Sequence, residues 1–140
     1  MSGNNPLVMG QPLADIMIVE TILKSLEDKT KNKKYLRAQA AYHLQQACEK
    51  LIKIQIYASG KQVRNDKIYK HSLQSLSEYA EEIGIELIIP DYISDNLEII
   101  TSWEAEGRYD MHMVVRKDRL QKTCIETKAW YQQLKKSGYQ

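Results

Sequence analysis

Apolar residues along this chain recur at every third or fourth position, a spacing that predicts helices and no convincing strand. Leu13, Ile16, Met17, Leu23 and Leu26 keep that spacing to about Glu27, and Pro12 suits the first turn of such a helix. Asp28 to Lys34 carries four lysines and reads as an exposed connector. From Tyr35 to about Ala58 there is no glycine or proline, and Gly60 is placed to stop the helix. Leu36, Ala40, Leu44, Ala47, Leu51, Ile54 and Ala58 draw one apolar stripe through it, which makes it the expected central helix.

Gly60 to Lys70 is polar and basic. A third helix is predicted from near His71, capped by Ser72, with Leu73, Leu76, Tyr79, Ala80 and Ile83 inward and Gly84 ending it. Ile85 to Ile89 could pass for a strand, but nothing else in the chain offers it a partner, so it reads as a buried connector closed by Pro90. A fourth helix is predicted over Asp91–Glu106, burying Ile93, Leu97, Ile100 and either Trp103 or the stem of Glu104, with Gly107 interrupting it. The last is predicted over Lys117–Lys136, with Leu120, Cys124, Tyr131 and Leu134 in register. The expected fold is therefore all-α, five helices in a mostly up-and-down antiparallel bundle. One domain spans 13–136, after a flexible 1–12 and before a frayed 137–140.

A length of 140 residues suits one domain and buries enough surface for a core without staples. With 43% apolar and 27% charged residues, general disorder is excluded. Net charge is only +2, so affinity for a polyanion has to come from local clusters. Cys48 and Cys124 lie far apart inside helical patterns and read as reduced core thiols. No cysteine or histidine spacing resembles a metal site, and no cofactor is expected. Met1 to Gln11 lacks the basic start of a secretory signal, and no apolar run nears the roughly 18 residues of a membrane span. A soluble, cytoplasmic protein is the expectation.

Three motifs in order suggest a family. Ala41-Tyr-His-Leu-Gln-Gln-Ala-Cys-Glu-Lys-Leu-Ile-Lys53 resembles the Gln-Ala-x-Glu-Lys-x-x-Lys helix of HEPN domains (higher eukaryotes and prokaryotes nucleotide-binding). His71-Ser-Leu-Gln-Ser-Leu76 is similar to that family's His-x-Leu-x-x-Leu, and Arg108-Tyr109-Asp110 to its Arg-Tyr-x. The resemblance runs from about residue 13 to 135. It implies a helical bundle that often forms homodimers and binds nucleotide or RNA phosphate, commonly beside a nucleotidyltransferase. Some members are metal-independent RNases, toxin-like in toxin–antitoxin pairs, which use an arginine and a following histidine four to six residues later.

Two pairs qualify as candidates for that chemistry, in which histidine takes the 2′-hydroxyl proton and arginine holds the phosphate. Arg64 and His71 have six residues between them but sit early in the chain; Arg108 and His112 have three between them. Neither has both the family's spacing and its position, so binding without cleavage is expected. The resemblance places Glu49, Lys50, Lys53, Arg64, Lys67, His71, Arg108 and Tyr109 at the ligand. Taken without it, Glu49, Lys50 and Lys53 read as a solvated face, His43 as a half-buried packing residue, and Trp103, Tyr109 and Trp130 as core or interface aromatics. Three basic clusters remain: Lys29 to Lys34, Lys61 to His71, and Arg116, Lys117 and Arg119. The second mixes arginine, tyrosine and histidine, which suits phosphate grip and base stacking. A subunit that only docks on a partner protein is the third reading.

Overall fold

The computed structural model describes residues 6–27, 33–109 and 115–140, with 105–109 as backbone only. Among these residues the chain is all-α, with seven helices and no strand where the sequence predicts five helices. They are α1 (Gly10–Ser25), α2 (Lys33–Ala58), α3 (Asn65–Ile68), α4 (Leu73–Glu82), α5 (Asp91–Asp95), α6 (Leu97–Tyr109) and α7 (Lys117–Lys136). No described helix is long and apolar enough to cross a membrane.

The two additional helices are one turn each. α3 lies inside the basic segment after Gly60. α5 exists because the predicted fourth helix breaks at Asn96, whose backbone leaves helical geometry (φ −121°, ψ 19°). The Asn96 side-chain amide donates to the Tyr92 carbonyl at 2.7 Å, taking over a main-chain acceptor as asparagine does at helix ends. Gly107 does not interrupt the helix that follows, because α6 runs on to Tyr109.

α2 is central, with α1, α4, α6 and α7 all packed on it. Its stripe is wider than the sequence implies. Residues 51–56 are all buried, Gln55 and Lys53 included, whereas Ala58, at the end of the predicted stripe, is exposed. On α1 the buried face runs through Pro12, Asp15, Ile16 and Val19 to Leu26. Met17, predicted to be inward, is 57% exposed, since one residue past Ile16 turns a side chain about 100° away. Trp103, Trp130, Leu120 and Leu134 close the core on the α6 and α7 side.

The connector after α4 shows how an apolar, strand-like segment is held without a sheet. The buried Gln55 amide bonds both ways with one residue of the connector, donating to the Ile88 carbonyl at 2.9 Å and accepting the Ile88 N–H at 2.8 Å. The Trp130 indole N–H adds a second donor to the same carbonyl at 2.6 Å. These bonds replace the ladder that a partner strand supplies elsewhere. At the end of the chain, which the sequence suggests should fray, Gly138 (φ 100°) lets the Tyr139 N–H return to the Leu134 carbonyl. The Gln140 carbonyl accepts the N–H of buried Met9 at 2.9 Å.

Candidate functional site

Five polar residues of α2 enter two buried carboxylate centres, Gln45, Glu49 and Lys53 in one and His43 and Lys50 in the other. Gln45, Glu49 and Lys53 follow each other at i, i+4 and share one side of the helix. His71 reaches that side from the residue before the α4 cap. Ser72 Oγ accepts the Ser75 N–H, and the Thr101 hydroxyl accepts the Leu73 N–H at 3.0 Å, so the start of α4 is fixed. That places the His71 carbonyl 3.0 Å from the Gln45 amide and its ring Nδ1 3.0 Å from Glu49 Oε1.

Glu49 is 6% exposed and fully engaged. It accepts from the Gln45 amide at 3.1 Å, from Lys53 Nζ at 3.0 Å and from His71. An ionised carboxylate has no proton to give, so His71 Nδ1 carries the hydrogen and donates it. Nε2 is then the basic nitrogen. The His71 side chain is 54% exposed, and Glu49 is its one side-chain partner among the described residues. Chemically this is an oriented imidazole able to accept a hydrogen bond or a proton at Nε2.

The second centre is Asp15 of α1, a residue that periodicity and motifs did not single out. It accepts from His43 Nδ1 at 2.8 Å and from Lys50 Nζ at 2.6 Å, with its side chain 8% exposed. Lys50 is therefore committed to α1 and does not join Glu49, Lys53 and His71 as the resemblance implied. The solvated-face reading is corrected as well, because Glu49 and Lys53 are buried. Helical periodicity hides this, since polar residues at i, i+4 look the same whether water or a neighbouring chain covers them.

Around His71 the chain is basic. Arg64, Tyr69 and Lys70 are exposed, and Lys67 is half-buried. Arg64 does not meet His71. Its guanidinium forks onto Asp66 at 3.1 and 2.8 Å, and its backbone N–H is fixed on the Tyr79 hydroxyl at 2.8 Å. Lys67 and Lys70 line a depression of about 310 Å³ with Ser75, Glu78, Tyr79 and Glu82, so the charge beside the loop is mixed. Tyr69, 69% exposed, is the ring most open to stacking among the described residues. Arg108, Tyr109 and His112 lie outside the described side chains.

Gln45 is the site residue that sequence reading missed. It sits inside the quoted α2 motif, and its place four residues before Glu49 was the available signal. Scanned against protein-family models, curated proteins and solved structures, the chain matches none.

Proposed function

We propose that this is a HEPN-type, mostly up-and-down helical domain that binds the phosphates of a nucleotide or single-stranded RNA on the face formed by His71 and the basic segment before it. The observation that carries the reading is the His71 imidazole, held at Nδ1 by the buried Glu49 and exposed at the end of the chain segment that carries Arg64, Lys67, Tyr69 and Lys70. Protonated, that ring is a fixed cation for phosphate; neutral, it accepts a ribose hydroxyl at Nε2. The experiment is a heteronuclear NMR titration with a short oligoribonucleotide. Perturbed amides should cluster at 64–73, and perturbation confined to other parts of the chain overturns the reading.

One observation favours a second reading, metal-independent RNA cleavage. A histidine oriented by a buried carboxylate is the arrangement of a general base. Against it, Arg64 forks onto Asp66 rather than meeting His71, and no arginine with a described side chain bonds into the Glu49–His71 centre. We therefore expect no cleavage in EDTA. A 2′,3′-cyclic phosphate product lost in His71→Ala would make the enzyme reading the correct one.

Two partner proposals follow from the same reading. The domain pairs with itself, with Met17 and Ile18 of α1 and Ile99 of α6 as exposed apolar contacts. It also acts beside a nucleotidyltransferase, as the resemblance implies.

A further inference from the structure

Arg116, Arg119 and Lys122 recur at i, i+3 and i+6, which puts three cations along one face at the start of α7. Opposite them is the joint between α5 and α6. Together with Tyr92, Asn96 and Asp118 they line an open depression of about 330 Å³. That is the lower end of the range for small-molecule sites.

The far wall is held in place. The Asn96 amide nitrogen is fixed on the Tyr92 carbonyl at 2.7 Å, which turns its oxygen toward Arg119. The Thr123 hydroxyl donates to the Arg119 carbonyl at 2.8 Å, so the Tyr92 hydroxyl donates to Thr123 at 3.0 Å. The Tyr92 ring then lies 5.5 Å from the Lys122 ammonium, within cation–π range. The charges are not balanced inside this wall. Among the described residues Arg119 has a single side-chain bond, a long one of 3.4 Å to the neutral Asn96 oxygen, and no carboxylate partner. Lys122 has Glu126 at 3.0 Å, which occupies one of three ammonium donors. Asp118 opposes an anion, but it is tied to Arg116 at 3.1 Å in a pair 80% and 66% exposed, a kind of contact that holds weakly.

We propose that this depression binds the phosphate group of a small phosphate monoester. The Arg119 fork is the main grip, and Arg116 and Lys122 close from either side. A guanidinium meets two phosphate oxygens at once, and a dianion is the ligand that best repays three converging cations. The site shares no residue with the Glu49–His71 centre, so either can fail without the other.

The test is an amide NMR titration of the full chain at neutral pH and fixed ionic strength, with inorganic phosphate, AMP and adenosine as probes. Phosphate should shift Asn96, Arg119 and Lys122 saturably, with a dissociation constant on the order of 1 mM. AMP should bind at least as tightly, and adenosine should leave these amides unmoved. Arg119→Ala should weaken phosphate binding about tenfold. Asp118→Asn, which releases Arg116 and removes a repulsive charge, should strengthen it about threefold. Both positions are exposed, so well-dispersed spectra of the variants exclude misfolding as the cause. Shifts that never saturate, that chloride reproduces, that persist in Arg119→Ala, or that AMP produces more weakly than phosphate would overturn the proposal.

Discussion

Three groups share the Glu49 carboxylate, and one of them, Lys53, is a buried charge that is left unpaired without it. Removing one partner of a buried ion pair costs more than the pair contributes, because a desolvated charge is left behind. Glu49→Ala should therefore lower stability by about 3 kcal/mol, and Glu49→Gln, which keeps an acceptor for His71, by less. Glu49→Leu with Lys53→Met should recover most of the loss, since two apolar side chains of similar volume leave no buried charge. Urea unfolding of the four proteins checks the order; a double variant no better than Glu49→Ala would contradict it.

The cysteines give a pH dependence. Burial pushes the Cys48 thiol up to about 12, against a smaller lowering by its contact with the Thr127 hydroxyl at 3.6 Å. Cys124 is raised to about 11, again chiefly by burial. In the unfolded chain a thiol titrates at about 8.5. Between that pH and the folded value the unfolded state binds fewer protons than the folded one, so stability falls as pH rises. The contribution of Cys48 is complete below about pH 8.5 and is lost toward about 12, at up to about 1.4 kcal/mol per pH unit. Urea midpoints measured at neutral pH and near pH 10 should separate, and Cys48→Ala should narrow the gap. An unchanged gap would mean other groups set the alkaline limit.

At the scale of elements, most boundaries were legible because they rest on local chemistry. Ser72 caps α4, Gly60 and Gly84 take positive φ after α2 and α4, and α7 spans Lys117–Lys136 as the periodicity implies. The break at Asn96 had a local signal, an asparagine able to reach the carbonyl four residues back, which the apolar period of the segment concealed. Other features depend on contacts between distant residues. Nothing in the sequence reveals that Gln55 will supply the hydrogen bonds of a missing strand, since a glutamine on a helix usually faces water. Gln55→Ala tests this directly. It strands the Ile88 N–H, leaves the Ile88 carbonyl with the Trp130 indole as donor, and should cost about 1–3 kcal/mol, with amide exchange accelerating first over 85–90. Uniform acceleration across the chain would contradict a local role.

At the scale of the whole molecule, the all-α class was readable from periodicity, while the candidate site was readable in composition more than in grouping. Glu49, Lys53 and His71 meet, Lys50 belongs to Asp15, and Arg64 to Asp66. Glu49–Lys53 and Arg64–Asp66 are local pairs, but the His71–Glu49 and Lys50–Asp15 contacts depend on which segment lies against α2, and spacing alone does not encode them. Exposed Met17, Ile18 and Ile99 lead to a prediction about assembly. Sedimentation at micromolar concentration should give a species of twice 16.3 kDa, shifted toward monomer by Met17→Lys. A clean 16.3 kDa species would contradict the pairing.

The central claim is that the His71 face grips phosphate, and the most direct measurement is the salt dependence of binding to short single-stranded RNA. Affinity should fall linearly on logarithmic axes, by roughly 0.7 log unit per contact for each tenfold rise in salt. Replacing Arg64 and Lys67 by alanine should flatten that slope by about one to two contacts, and His71→Ala should weaken binding further at low salt. Affinity indifferent to salt, or a slope unchanged by those substitutions, would contradict the claim.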